Sequence, residues 1–366
     1  MIENKFPGKD ISDDDLKTKF PLSSSINPKK IVKISDDISF GANNIPFIAG
    51  PNVVENKDLM FKCCEILEKK NIKCLRGGIY KPLTFPYRSD KYFEAGDEGI
   101  KILEAIKKNF DVIIFTEILE EKKLELVKDF VDVIQIGARN MQNFPLITAA
   151  AKTKKPILLK RHFGSSIRDL LGSAEYALLE KNDKVILCER GVSAPHTHKS
   201  TSRFLLDLQA IPAIKDNSCL PVISDPSHAC FWHKWVKPLT LGSIATGADG
   251  IMIEFHENPR QSAVDPLQAI GFDEFGNFGN SGEGRIGRFS NIQPEERVPD
   301  AIVVRGPGNG FQGYQFIVGR KTNTTGTNND GLNPGAQFPI SSGGSGTTRV
   351  TDPNQPGYRK EFLELE

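Results

Sequence analysis

The chain carries almost no net charge, no disulfide pattern and no long apolar run, and each absence removes a class of function. Lys and Arg number 47 against 46 Asp and Glu, a formal net of +1, so no global basic field draws it to nucleic acid. Any hold on phosphate has to be local. Six cysteines (Cys63, Cys64, Cys74, Cys188, Cys219 and Cys230) are scattered, several inside expected strands or helices. That distribution reads as buried thiols in a reducing compartment rather than a disulfide framework. No apolar stretch reaches membrane-spanning length, and the start MIENKFPGKD lacks the apolar core of a secretory signal. The expectation is a cytoplasmic protein with neither a membrane nor a nucleic-acid partner.

What the chain does have is eight short apolar runs, each ending in polar or charged residues. They are IPFIAG (45–50), IKCLRGG (72–78), VIIFTE (112–117), VIQIGA (133–138), PILLKR (156–161), KVILCER (184–190), PVISDPSH (221–228) and GIMIEFH (250–256). Most gaps between them hold an amphipathic helical pattern such as KDLMFKCCEILEKK (57–70). Strands that are nearly all aliphatic are buried on both faces, as parallel strands under helices are. Eight such units predict an α/β fold, a (β/α)8 TIM barrel over 45–270, with its site at the C-terminal ends of the strands.

Residues 1–44 read as an irregular lead-in followed by a small hairpin over 30–44, placed to plug the barrel bottom. From 271 to 366 the chain turns rich in Gly, Asn, Ser and Thr, with two apolar islands, AIVVRG (301–306) and YQFIVGR (314–320). Only DPLQAI (265–270) follows the eighth run before the glycine-rich stretch. The eighth helix is therefore either one turn long or replaced by another segment or subunit. The extension reads as an assembly arm contacting neighbouring subunits of a homo-oligomer.

The strand ends present Asn52, Arg76, Glu117, Arg139, Lys160, Arg190, His228 and Glu254. Cations gathered at one mouth beside a His–Glu pair point to an anion-binding enzyme, with metal assistance as one option. The plainer reading of any single cation is pairing with a nearby acid such as Glu55, Glu98 or Glu117. His196 and His198 fall in a loop with no acid or Cys partner and read as solvated, Trp232 and Trp235 as packing residues, and GPGNG (306–310) as turns.

The motifs IAGPNVVEN (48–56), LRGGIYKPLTFPY (75–87), IQIGARNMQNF (134–144), ILLKR (157–161), ILCERG (186–191), SDPSHA (224–229) and MIEFH (252–256) resemble, in unbroken order, the class I 3-deoxy-D-arabino-heptulosonate-7-phosphate (DAHP) synthases. The likeness is to the subgroup related to the 3-deoxy-octulosonate-8-phosphate synthases, and it spans 30–270. Members condense phosphoenolpyruvate (PEP) with an aldose phosphate, erythrose 4-phosphate in the DAHP synthases of the shikimate pathway, and release phosphate. The resemblance implies Arg76, Lys81, Arg139, Lys160 and Arg190 as PEP ligands, where guanidinium forks suit carboxylate and phosphate. It implies catalytic roles for Lys160, His228 and Asn52, with Lys160 placed to move a proton. Thr84, Arg88 and Arg203 are implied on the acceptor side.

Departures from the family pattern cluster in two places. Metal-dependent members hold a divalent ion (Mn, Fe or Zn) with Cys, His, Glu and Asp. His228, Glu254 and Asp265 match the last three, but Asn52 stands at the Cys position, as in metal-independent octulosonate-phosphate synthases. On the acceptor side, the KPRTSPY loop reads KPLTFPY (81–87), with Leu83 for Arg and Phe85 for Ser. TRNTLDLS reads TSRFLLDLQ (201–209), with Phe204 for Asn, and Phe231 and Trp232 stand where Gly and Arg are expected. Arg88 is the nearest substitute for the lost loop Arg. Two functions compete: the PEP-dependent condensation, and a barrel that has lost the reaction and serves as a structural or self-assembling subunit. A third, an enzyme taking a non-phosphorylated acceptor, fits the apolar Leu83 and Phe85.

Overall fold

The computed structural model describes residues 12–82, 95–194 and 203–277, together with two short strands further on. Its chain divides into two compact units, Met1–Phe278 and Gly279–Glu366.

The first unit opens with helix α1 (Asp13–Thr18), started by a Ser12–Asp15 capping box. Strands β1 (Val32–Lys33) and β2 (Ser39–Phe40) pair antiparallel, the expected hairpin. Eight parallel strands then close a barrel in sequence order: β3 (Phe47–Gly50), β4 (Cys74–Arg76), β5 (Ile113–Glu117), β6 (Val133–Ile136), β7 (Ile157–Lys160), β8 (Val185–Glu189), β9 (Val222–Ser224) and β10 (Ile251–His256). Strand β10 pairs with both β9 and β3, which closes the ring. Between the strands lie α2 (Lys57–Lys69), α3 (Asp97–Asn109), α4 (Glu121–Val127), α5 (Phe144–Lys152), α6 (Ile167–Leu179), α7 (Ala210–Asn217), α8 (Pro226–Cys230) and α9 (His233–Ala245).

Local sequence starts these helices where the strands need them. Asn56, Asn143 and Ser166 each accept from a backbone N–H of the first turn of α2, α5 and α6. The buried stripe of α2 is Leu59, Met60, Cys63, Cys64 and Leu67, which lies on the sheet. Every residue of the eight barrel strands is buried, as parallel strands under helices require. All six cysteines are free and buried.

The hairpin plugs the barrel floor. Val32 and Phe40 share one core cluster with the inward residues Ile48, Phe115, Leu158, Ile186, Ile223 and Met252. Phe40 meets Phe115 edge-on at 6.3 Å. Gly250 leaves room for this plug, since a Cβ there would lie 2.8 Å from the Phe40 ring.

The barrel's last pieces run past residue 270. Strand β11 (Ile270–Gly271) pairs parallel with β10, and α10 (Phe272–Asn277) follows at once. Phe275 stacks on Phe255 of β10 at 4.4 Å, with Phe272 at 5.4 Å. These rings carry the short helix that occupies the eighth position. In the second unit, β12 (Val303–Arg305) and β13 (Gln315–Ile317) pair antiparallel and fall within the two apolar islands.

Candidate active site

Parallel strands all end at one mouth, so their terminal residues meet. Arg76 ends β4, Lys160 ends β7, and Arg190 directly follows β8; all three are buried. Arg76 donates to Asn52 Oδ1 at 3.1 Å and lies 3.9 Å from Glu254 Oε2. Lys160 Nζ lies 2.5 Å from Asp225 Oδ2, both buried. Arg190 donates through Nη2 to the His228 carbonyl at 3.2 Å, while its buried Nη1 has no hydrogen-bond partner among the described residues. A buried guanidinium nitrogen without an acceptor is a place for an anion's oxygen.

Lys81 follows β4 and reaches Glu117 Oε2 at 3.4 Å. Burial, with Arg76 and Lys160 nearby, lowers its ammonium pKa while Glu117 opposes. Glu117 itself packs against Gly137, where a Cβ would fall 1.8 Å from Oε1. Arg139 sits on a single 3-10 turn, Ala138–Asn140, is exposed, and donates to the Pro82 carbonyl at 3.3 Å. Its proximity to Arg190 shows at His162, whose pKa is lowered by burial and by both guanidiniums. All five expected cations therefore lie around one mouth, four largely buried and one at the rim. Burial brings Arg190 down to about 10, which leaves it charged at neutral pH. Of the acids expected as plain partners, Glu117 holds Lys81, while Glu98 pairs with Lys101 and Glu55 faces His256.

His228 lies on the one-turn helix α8, whose first backbone groups Asp225 caps through the His228 N–H at 3.1 Å. Asp225 Oδ1 also sits 3.0 Å from His228 Nδ1. This contact puts the proton on Nδ1 and leaves Nε2 as the free ring nitrogen, 3.7 Å from Glu254 Oε2. Burial holds His228 well below the usual imidazole range despite Asp225. Burial alone would raise the Asp225 carboxyl, but His228, Lys160 and Arg76 hold it well below the usual carboxylate range. Asp225 is thus an anion shared by Lys160 and neutral His228. Burial pushes Glu254 up to about 8, although Arg76 opposes, and Gln268 donates to its Oε2.

The residues at the position of the family's metal do not fit a divalent ion as they are disposed. Asn52 brings a neutral amide, and both its ends are committed: Oδ1 to Arg76 and Nδ2 to Asp265 Oδ2 at 3.1 Å. Asp265 is further paired with Arg203 Nη1 at 3.2 Å. Among the described residues, no three His, Cys, Asp or Glu side chains are grouped to hold a metal. His228 and Glu254 do come together, but Asp265 is turned to Asn52 and Arg203.

On the acceptor side the described wall is aromatic. Phe204 carries the Arg190 guanidinium 4.4 Å from its ring centroid and stacks on Phe163 at 5.0 Å. Arg260 lies 5.6 Å over Trp232, and Trp235 is exposed. Thr84, Arg88, His196 and His198 lie outside the described residues. Sequence reasoning did not single out Asp225 and Gln268. The signal for Asp225 was present, an acidic residue before Pro at a helix start, but that pattern by itself implies no more than a cap.

Fold and mouth define the class, a (β/α)8 barrel with a cationic opening. The DAHP synthetase I family matches residues 25–285, and the chain belongs to that family. It is 36% identical over 278 residues to the phospho-2-dehydro-3-deoxyheptonate aldolase of Thermotoga maritima, across 75% of this chain and 80% of that one. The 2-dehydro-3-deoxyphosphooctonate aldolase of Acinetobacter baylyi is 30% identical over 277 residues, 70% of this chain and 93% of its own. The crystal structure of the Thermotoga DAHP synthase superposes with a TM-score of 0.65 at 36% identity, covering 70% of this chain and 74% of that one. A truncated form of the same synthase gives 0.64 at 35% identity and is covered over 94% of its length. No described helix is long and apolar enough to cross a membrane.

Proposed function

We propose that this protein condenses phosphoenolpyruvate with an aldose phosphate and releases inorganic phosphate. The observation that carries the reading is the buried cationic pocket, above all Arg190 with one guanidinium nitrogen left without a partner among the described residues. PEP brings a carboxylate and a phosphate. Arg76, Lys81, Lys160 and Arg190 supply fixed positive charge for both, with Arg139 at the rim. Those charges are held in place before substrate arrives, which spares reorganisation during the reaction.

In this reading the π electrons of PEP attack the aldehyde carbon from C3, and the new C–C bond leaves positive charge at C2. The aldehyde oxygen takes a proton. Water adds at C2 and gives up a proton, and the resulting hemiketal phosphate expels phosphate by breaking its C2–O bond. Lys160, hydrogen-bonded to Asp225, is the group in place to hand a proton to the leaving phosphate or the new alkoxide. His228 is held toward its neutral form by burial, with Nε2 facing Glu254, and Asn52 braces Arg76. No step is assigned to a metal.

The test is phosphate release from PEP with erythrose 4-phosphate, arabinose 5-phosphate and their unphosphorylated sugars, each with chelator and with added Mn2+. Release with at least one phosphorylated sugar supports the proposal. Its absence with every sugar under both conditions rejects it in favour of a barrel that has lost the reaction.

A further inference from the structure

The two places where this sequence departs from its family meet at one residue. Arg203 lies between the rings of Phe204 and Phe231, 5.6 Å and 5.0 Å from their centroids. Both rings are substitutions relative to the family pattern. From between them the guanidinium reaches Asp265 Oδ2 at 3.2 Å, and the same oxygen accepts from Asn52 Nδ2 at 3.1 Å. Asp265 is the carboxylate, and Asn52 the Cys replacement, at the family's metal position. One oxygen thus receives two donors from the protein where a metal-dependent relative would offer it to an ion.

The backbone supports the same contact. Non-glycine residues with positive φ among the described residues are Asn71, Lys154, Lys181, Phe231 and Asp265. The first three lie just past the C-terminal ends of α2, α5 and α6, where such a conformation is ordinary. Phe231, at φ 56° on the C-cap of α8, is a bulky residue where a glycine is favoured. Asp265, at φ 52°, belongs to the loop between β10 and β11. Phe231, the ring that grips Arg203, is thus the one bulky side chain in this conformation among the described residues, while Asp265 is of a type that adopts it readily.

Electrostatics gives the contact its meaning. Among the described residues, the groups recorded against Arg203 are Asp265, Arg190 and the faces of Phe204 and Phe231; a ring face attracts a guanidinium. Phe204 serves Arg190 and Arg203 together, which lets two guanidiniums stand near one another. A divalent ion brought to Asp265 would have to displace Arg203 and approach it closely.

We propose that Arg203, clamped by Phe204 and Phe231, is the resident cation of this mouth and closes the divalent-metal position by occupying Asp265. His228 and Glu254 already meet there, and the clamp holds Asp265, the third family ligand, turned away from them. This rests on the placement of those side chains and not on turnover, so it stands or falls separately from the condensation.

Calorimetric titration of MnCl2 into the full chain, without substrate, tests it. Wild type should show no stoichiometric binding in the micromolar range. Arg203→Gln should bind Mn2+ at least about tenfold more tightly, because one positive charge beside the site is gone. Arg203→Lys, which keeps the charge but loses the planar fork, should remain close to wild type. Phe231→Gly removes a strained residue and is expected to fold even if Arg203→Gln does not; it should give an intermediate gain. Tight stoichiometric Mn2+ in wild type would overturn the proposal, as would Arg203→Gln and Phe231→Gly that bind no better than wild type.

Discussion

The two walls of the barrel mouth are built on different principles. On one wall, Arg76, Lys81, Lys160 and Arg190 are largely buried and bound to acids, an amide or a carbonyl of neighbouring strand ends. On the other, Arg203, Phe204, Phe231 and Trp232 are half-buried and held by stacking. By the resemblance of the motifs, the four cations of the first wall keep the family pattern, while Phe204, Phe231 and Trp232 of the second depart from it. A charge buried at a strand end cannot be exchanged without stranding its partner. A half-exposed loop residue can be replaced by a ring that stacks on its neighbours.

Removing Asp225 should break the contrast most severely. Asp225→Ala leaves the Lys160 ammonium buried and unpaired, a change that costs about 3–5 kcal/mol where a buried pair loses one member. Thermal or denaturant melts should show this plainly. Removing the partner on the other wall, Asp265→Asn, should cost under about 1 kcal/mol, since that pair is partly exposed. Equal losses for the two variants would erase the distinction between the walls.

The next effect is on anion binding. Arg190→Ala should weaken PEP or sulfate binding by about 10- to 100-fold, as expected for a lost charge-assisted contact of about 1.5–3 kcal/mol. Exposed Arg139→Ala should cost less than about tenfold. Phe204→Asn, which removes the ring under Arg190 and Arg203 and its stack on Phe163 but no charge, should cost about two- to fivefold. Calorimetry on the three variants orders them.

A smaller change is expected from Asn52→Cys. It supplies an anionic soft ligand and should raise divalent-ion affinity about tenfold, with Arg203 still opposing. Least of all, Phe231→Gly should shift stability by no more than about 1 kcal/mol, relief of the left-handed strain offsetting the lost ring contact.

The barrel was legible because parallel strands must be apolar on both faces and must end together, so eight aliphatic runs with polar ends describe both fold and mouth. The hairpin plug was legible from its place before the first run. The linkage of Asp225 to Lys160 was not, since 65 positions separate them and a carboxylate before a helix already has a use as a cap. Nor was the clamp: Phe204 and Phe231 read as lost phosphate contacts, and only the fold brings both against Arg203. The eighth helix was left open between one turn and a replacement by another segment or subunit, because the rings of Phe255, Phe272 and Phe275 that seat it are invisible to periodicity over so few residues.

The central claim is that the cationic wall holds PEP by protein charge alone. Calorimetric titration of PEP into the wild-type chain in the presence of EDTA tests it most directly. The account predicts saturable binding at one site per chain, unchanged when MnCl2 then replaces the chelator. No PEP binding in EDTA, with binding restored by Mn2+, would contradict it.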